Sequence, residues 1–311
     1  MEKGLREEKR GEEFEQYRGL LFSIAYRMTG SASDAEDLVQ ETFLRYQTSA
    51  TPEIASLKAY LSTIITRLAL DYLKSARVTR EQYVGVWLPE PVRTAGEGAL
   101  ALTGLEQREE ISLAFLRLLE TLSPPERAVF LLHEVFDYPF KEIGDILEKS
   151  PANCRQIFHR ARQALQNSPA RFAPEPQRQR QLLSGFLAAS QAGDLATLTG
   201  LLAQDVVSWS DGGGKVQANL KPVLGPQAVA RFWNFWLYTE ARKGPPLVFT
   251  LEEINGSPAV LFWDKGRLAV VICLRMSETA IEEIFAILNP EKLAFLEKQV
   301  AVSKERGSTG A

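Results

Sequence analysis

Two cysteines in 311 residues, Cys154 and Cys273, are too few and too far apart for a disulfide framework or a zinc-binding cluster. A reducing cytoplasm is the setting they suit. No histidine follows His159, so a general base in the second half of the chain would have to be a carboxylate. No apolar run approaches the ~20 residues that a membrane-spanning helix needs. The opening, MEKGLREEKRGEEFEQ, is no signal peptide. DGGGK (211–215) lacks the spaced second glycine and the Lys-Ser/Thr ending of a phosphate-binding loop. A net charge of −3 and a pI near 5.7 argue against indiscriminate nucleic-acid binding. What is present is 45% hydrophobic and 24% charged, a core-forming composition, at a length that allows two or three domains.

The most informative stretch runs from Thr121 to Leu165 and contains three successive helix patterns. Phe140, Ile143, Gly144 and Leu147 mark the inner face of the second. After the short polar turn Glu148-Lys149, Ser150 is placed to cap a third helix with Pro151 at its first position. Cys154, Ile157, Phe158, Ala161 and Leu165 then form one apolar stripe at helical spacing. The opposite face carries Asn153, Arg155, Gln156, His159, Arg160, Arg162 and Gln163. Arg, Gln and Asn on one helix face can reach base edges bidentately, and outer arginines can reach phosphates. From Lys149 to Arg180 there are seven Lys or Arg against one Glu, a local +6 in a chain of −3. Positive charge is concentrated where a DNA-binding helix-turn-helix would use it.

Toward the N-terminus, Phe14, Tyr17, Leu21, Ile24, Ala25 and Met28 predict a helix ended by Gly30. Ser33 is the expected cap of the next, with Asp34, Glu36 and Asp37 favourably near its positive end. Its inner face is Ala35, Leu38, Val39, Thr42, Phe43 and Tyr46, and its outer face is acidic and amide-bearing: Glu36, Asp37, Gln40, Glu41. Residues 56–77 form a third helix pattern, with Leu57, Tyr60, Leu61, Ile64, Leu68 and Leu73 as stripe positions. From Lys58 to Arg80 the balance is five basic residues to one acidic. An aromatic on a basic helix can stack unpaired bases, although spacing alone favours Tyr60 as core.

DAEDLVQETFLRYQ (34–47), LKAYLSTIITRLALDYLKSAR (57–77) and LSPPERAVFLLHEVFDYPFKEIGDILEKSPANCRQIFHRAR (122–162), in that order, resemble an extracytoplasmic-function (ECF) sigma factor. The resemblance implies two all-α domains: a region 2 helical bundle over 1–82 and a region 4 helix-turn-helix over 108–172. It implies core RNA polymerase as a partner for Asp34, Asp37, Leu38, Gln40, Glu41 and Phe43. It implies −10 promoter contacts by Lys58, Tyr60, Arg67, Lys74 and Arg77, and −35 contacts by Ser150, Asn153, Arg155, Gln156, His159, Arg160 and Arg162. Three positions depart from the family pattern. Glu148 stands where many helix-turn-helices have Gly, Cys154 where Val or Ile is commoner, and Arg67 where many relatives carry Asn.

Between these domains, YVGVWLPEPV (83–92), within a linker over 83–107, is extended and apolar, so it should be docked rather than left in water. Past a Pro/Gln/Arg hinge (173–180) come helix patterns at 182–192, 195–202 and 228–238, and two strands over 206–218 joined by a Gly-rich turn. Four more strand-like runs follow, VFTLEEI, PAVLFWD, RLAVVICLR and AIEEIFAIL, the first three separated by Asn-Gly and Lys-Gly turns. The pattern resembles a SnoaL-like α+β cone over 176–311. A subgroup of ECF sigma factors with that extension is marked by three motifs, present here as Trp87–Val92, Asp211–Lys215 and Asn289–Leu293, with Val86 in place of an expected proline. The resemblance implies regulatory contacts by Trp87, Pro89, Asp211, Gly212, Gly213, Gly214, Lys215, Asn289, Pro290, Lys292 and Leu293. Asn289 is also placed to cap a C-terminal helix with Leu293 and Leu296 on one face.

The expected function is therefore a cytoplasmic alternative sigma factor, regulated in cis by its cone and needing no separate anti-sigma factor. Catalysis is not expected, nor a cofactor or metal. The candidate bases are Asp194, Asp205, Asp211 and Asp264, three of them beside turn signals. A one-component helix-turn-helix regulator with a ligand-binding cone is the alternative, but it leaves the acidic and basic helices of residues 34–80 without a role.

Overall fold

The computed structural model describes residues 2–49, 56–95, 111–165, 174–243 and 248–307. They form two compact units. The first takes the chain up to Glu81 and resumes at Phe115; the second takes 82–95, Ile111–Ala114 and the chain from 174 onward.

In the helical unit, α1 (Glu2–Thr29), α2 (Ala32–Thr48) and α3 (Leu57–Glu81) pack together. α1 begins well before Phe14, a start the sequence does not announce, since residues 2–13 are mostly charged and carry no apolar stripe. Gly30, at φ 70°, ends it as expected. The cap of α2 is Ser31, not Ser33: Ser31 has extended backbone, and its hydroxyl accepts from the Asp34 N–H at 3.2 Å. The buried stripe of α3 is Leu61, Ile65, Ala69, Leu73 and Ala76. Tyr60, Ile64 and Leu68, which the spacing placed on that stripe, are only half-buried, so the helix is rotated from the expected face.

Next come α4 (Leu113–Leu119), α5 (Pro124–Phe130), a π-helical turn over Leu131–Val135, α6 (Phe140–Leu147) and α7 (Pro151–Leu165). The wider π turn buries Leu131, Leu132 and Val135 together. α6 buries Ile146 as well as Ile143 and Gly144, while Phe140 and Leu147 remain half-exposed. A side chain on Gly144 would place its Cβ 2.6 Å from the Lys149 carbonyl oxygen, so the tight turn into α7 needs glycine there. All five stripe residues of α7 are buried.

In the second unit, α8 (Pro176–Ala192), α9 (Leu195–Gly200) and α10 (Pro226–Lys243) accompany a six-stranded sheet of order β2-β1-β6-β5-β4-β3. The strands are β1 (Leu202–Asp211), β2 (Val223–Leu224), β3 (Val248–Ile254), β4 (Ser257–Asp264), β5 (Arg267–Met276) and β6 (Ile281–Ile287). β1 and β6 pair parallel, and the other pairs are antiparallel. The two strands expected over 206–218 are instead one strand starting at Leu202, a loop, and the two-residue β2. The glycines serve the loop, not a hairpin.

Residues alternate along β4 to β6 between two cores, which is why those segments read as continuous apolar runs. Val260, Phe262, Val270, Ile272 and Ile284 meet Phe186, Trp233 and Leu237 of the helices. Ala259, Leu261, Val271, Cys273, Phe285 and Ile287 meet Leu88 and Leu293, Leu296 and Val300 of α11 (Pro290–Gly307). The apolar segment 86–92 is the missing cover of the second face, a strap lying on the cone.

Candidate nucleic-acid interface and strap clasp

α7 presents its polar face to solvent. The Ser150 hydroxyl accepts from the Asn153 N–H at 3.2 Å, and Asn153, Arg155, Gln156, His159, Arg160 and Arg162 are exposed. The Arg155 guanidinium lies 5.6 Å from the Phe140 ring centre, and Arg160 lies 3.5 Å from Glu126 Oε1. Burial raises the pKa of the Cys154 thiol on the inner face.

On α2, Asp37 and Gln40 are exposed and Leu38 is half-buried, while Glu41 pairs with Arg45 at 2.8 Å. Two expected partner residues are engaged inside the bundle. Asp34 accepts from the Tyr72 hydroxyl at 2.6 Å, and the Phe43 ring lies 4.8 Å from Phe14. Along α3, Lys58 Nζ lies 5.2 Å from the Tyr138 ring centre, Tyr60 meets Tyr46 edge-on, and Lys74 pairs with Asp71 at 2.8 Å. The Arg77 side chain lies outside the described residues.

The helix-turn-helix and the α1–α3 bundle meet through arginines that take each other's helix ends. Arg127 of α5 donates to the Met28 carbonyl of α1 at 2.6 Å and to Glu120 at 2.8 Å. It is buried, and desolvation lowers its pKa against the pull of Glu120. Arg80 reaches Glu120 and the Thr29 carbonyl. In return, Arg67 of α3 donates to the Ile146 carbonyl (2.9 Å) and the Asp145 carbonyl (3.2 Å) at the end of α6, and pairs with Glu148 at 3.0 Å. Cations suit helix C-termini, where carbonyls lack intrahelical partners. A Ser62–Tyr138 hydroxyl pair at 2.7 Å sits in the same seam.

In the cone unit the three motifs converge on Asp211, which is fully buried at the end of β1. Its carboxylate accepts from the Tyr83 hydroxyl (2.6 Å), the Leu88 N–H (2.8 Å) and Lys292 Nζ (2.7 Å). Its carbonyl accepts from the Leu288 and Asn289 N–H groups. Lys292 also donates to the Leu88 carbonyl at 2.5 Å and lies over the Tyr83 and Trp87 rings at 4.7 and 4.1 Å. Asn289 Oδ1 accepts from the Glu291 N–H, with Pro290 at the first turn of α11, and its Nδ2 donates to the Tyr83 hydroxyl. Gly212 and Gly213 make the approach possible. A Cβ on Gly213, at φ 57°, would fall 2.3 Å from Asn289 Nδ2, and one on Gly212 would fall 2.4 Å from the Val216 carbonyl oxygen. Gly214 has φ 70°, and Lys215 reaches Glu291 at 2.9 Å. Pro89 is buried in the strap and Leu293 in the core beneath it.

A second set of contacts fixes the far end of the strap. Asn255 Oδ1 accepts from the Val92 N–H, the Asn255 N–H donates to the Val92 carbonyl, and Asn255 Nδ2 donates to the Ile111 carbonyl. Arg93 donates from its backbone to Gln299 and pairs with Glu252 at 2.9 Å. In the sequence Asn255-Gly256 is legible only as a turn, and Tyr83 only as part of an extended apolar segment. Their strap contacts, like those of Arg80, Glu120 and Arg127 in the seam, join residues far apart in the chain and leave no periodic signal.

Among the candidate bases, Asp194 caps α9, and its hydrogen bonds from Thr197 hold its carboxyl below the usual carboxylate range. Asp205 and Asp264 are exposed, and Asp211 is committed to the clasp. Among the described residues no His, Cys, Asp and Glu cluster could hold a metal ion, and no helix is long and apolar enough to cross a membrane.

Comparison with known proteins bears on this arrangement directly. Residues 14–79 match Sigma-70 region 2 and residues 112–165 match Sigma-70, region 4. The chain is 41% identical to the ECF RNA polymerase sigma factor SigJ of Mycobacterium tuberculosis over 71% of this chain and 70% of that one. It is 30% identical to a probable ECF RNA polymerase sigma factor, SigI, of the same species, over 89% and 92%. The crystal structure of M. tuberculosis SigJ is similar with a TM-score of 0.72 at 33% identity, covering 91% of this chain and 98% of that one. The one-component regulator is thereby set aside, and regions 2 and 4 imply core RNA polymerase and promoter DNA as partners. Two helical sigma regions followed by an α+β cone thus belong to one chain, and that chain is a member of the ECF RNA polymerase sigma factors, alternative sigma factors that direct transcription initiation.

Proposed function

We propose that α2 docks on core polymerase through Asp37, Gln40 and Glu41, that α3 holds the −10 strand, that α7 reads the −35 element, and that the cone regulates these steps in cis. In this reading region 2 spans 1–82, the linker 83–107, region 4 108–172 and the cone 176–311. The protein works in the cytoplasm without a separate anti-sigma factor and without catalysis. Two weak DNA contacts held on one polymerase act jointly through effective concentration, which suits an acidic chain with local basic faces.

One observation supports regulation above the rest. The segment leading out of region 2 is gripped by a buried carboxylate of the cone, with Tyr83, Leu88 and Lys292 all on Asp211. A chain segment that merely connected two domains would have no need of such a grip. The test is run-off transcription by the full-length protein, a protein truncated at Asn289 and one truncated near Gln181, with the same core polymerase. The three should differ, and equal activity would leave the cone without a regulatory role. For the −35 assignment, Arg155→Ala and Gln156→Ala should each weaken promoter discrimination by about 1–3 kcal/mol. Unchanged selectivity in both would remove α7 from base reading.

A further inference from the structure

Arg67 stands where many relatives carry Asn and Glu148 where many helix-turn-helices have Gly, and in the fold the two contact each other. Glu148 ends α6 in the left-handed region at φ 56°, a conformation that costs a non-glycine residue energy. Its carboxylate nevertheless lies 3.0 Å from Arg67, whose remaining N–H groups cover the Asp145 and Ile146 carbonyls. All three acceptors belong to the helix-turn-helix, and the donor is one of the five basic residues from Lys58 to Arg80. A glycine at 148 would relieve the backbone but remove the carboxylate.

From this we infer that Arg67 and Glu148 form a latch that holds Arg67 of α3 against the helix-turn-helix until DNA competes for the same guanidinium. The inference rests on the assignment of α3 to the −10 strand. Phosphate and base acceptors of single-stranded DNA offer Arg67 the same kind of partner that two carbonyls and a carboxylate offer it in the closed chain. One guanidinium cannot satisfy both sets at once. DNA binding by α3 is therefore coupled to separation of α3 from α6, and the affinity observed is reduced by the closed fraction. The pair is partly exposed, with Arg67 at 44% and Glu148 at 76% of side-chain surface, which suits a contact meant to open.

The experiment uses the full chain with spin labels on cysteines introduced at Thr48 and Gln163, both exposed, since native Cys154 and Cys273 are buried. Distances between the labels are measured in the parent, Arg67→Asn and Glu148→Gly proteins. Binding of a short A/T-rich single-stranded DNA is measured on the same samples. Both variants should shift the distribution to longer separations, Arg67→Asn further than Glu148→Gly. Glu148→Gly should bind the DNA about two- to fivefold more tightly, the range an exposed ion pair can supply. Arg67→Asn should open the seam without that gain, because the cation itself is gone. Thermal melting guards against misfolding, since Glu148→Gly should not lower the midpoint. Distances unchanged in both variants would overturn the latch. Longer distances with no gain in DNA affinity for Glu148→Gly would instead overturn the −10 assignment of α3.

Discussion

Two polar junctions hold this protein's parts together, and they are built on opposite principles. In the helical unit, the bundle and the helix-turn-helix meet through arginines placed on helix ends, exposed at Arg67 and buried at Arg127, with backbone carbonyls as the main acceptors. In the cone unit, the strap is held by a carboxylate with no exposed surface, paired with the Lys292 ammonium that lies over the rings of Tyr83 and Trp87. At the exposed end of α6, solvent can replace the Arg67 guanidinium at little cost, because the carbonyls there have water as an alternative. It cannot replace Asp211, because opening that site exposes or strands a charge. The first junction is suited to opening in use, and the second to staying shut unless something specific acts on it.

The comparison is broken most severely by Asp211→Ala. It removes the acceptor of Tyr83, Leu88 and Lys292 and leaves a buried ammonium without its carboxylate, so the cone unit should lose about 3–5 kcal/mol. Differential scanning calorimetry should show its transition falling, and the double variant Asp211→Ala with Lys292→Met should be less damaged than the single. If the single and double variants melt together, the ion pair is not what holds the strap.

Arg127→Ala probes the helical junction at the place where it most resembles the clasp, since Arg127 is the buried member of the seam. The loss should be about 1.5–3 kcal/mol, the range for hydrogen bonds to a charged group, and confined to the helical unit. A loss in the cone transition instead would mean that the two junctions are not independent.

The smallest effect is one of pH. Burial first, and then the Asp211 hydrogen bond, raise the pKa of the Tyr83 hydroxyl above the ordinary tyrosine value of 10.0. A pKa higher in the folded than in the unfolded chain gives stability that is complete below pH 10 and is lost as pH rises beyond it. Fluorescence from Trp87, isolated by substituting the other tryptophans, should therefore change in the alkaline range. Tyr83→Phe should remove that change. An alkaline transition that survives in Tyr83→Phe would have to come from tyrosines such as Tyr46 or Tyr138, whose pKa values are also raised.

The two junctions also differ in how far the sequence disclosed them. Most clasp residues lay in three short motifs legible through the resemblance to a sigma-factor subgroup, though Tyr83 was not among them, and the Asn-Gly and Lys-Gly turns placed β3, β4 and β5 to within a residue. Burial on alternate faces kept β5 and β6 readable as apolar runs. The seam was invisible for a physical reason. Arg67 binds backbone carbonyls 78 and 79 residues away, and a carbonyl has no residue type to recognise. The rotation of α3 escaped because Ile64 and Ile65 are equally apolar, and packing rather than periodicity chose between them. The π turn over Leu131–Val135 was likewise set by what it buries.

The strap's last contacts carry a consequence of another kind. β3 is the outer strand of the sheet, and Val92 to Thr94 pair with its end at Glu253 to Asn255. Beyond that point Val248 and Leu251 are more than half exposed. Pulling the strap away would lengthen an open, apolar strand edge, the template on which proteins add foreign strands and aggregate. Release of the strap is thus bounded by colloidal stability: any state of the chain in which it is free must be brief, or covered by another surface. Light scattering of strap-weakened variants would register that limit before transcription did.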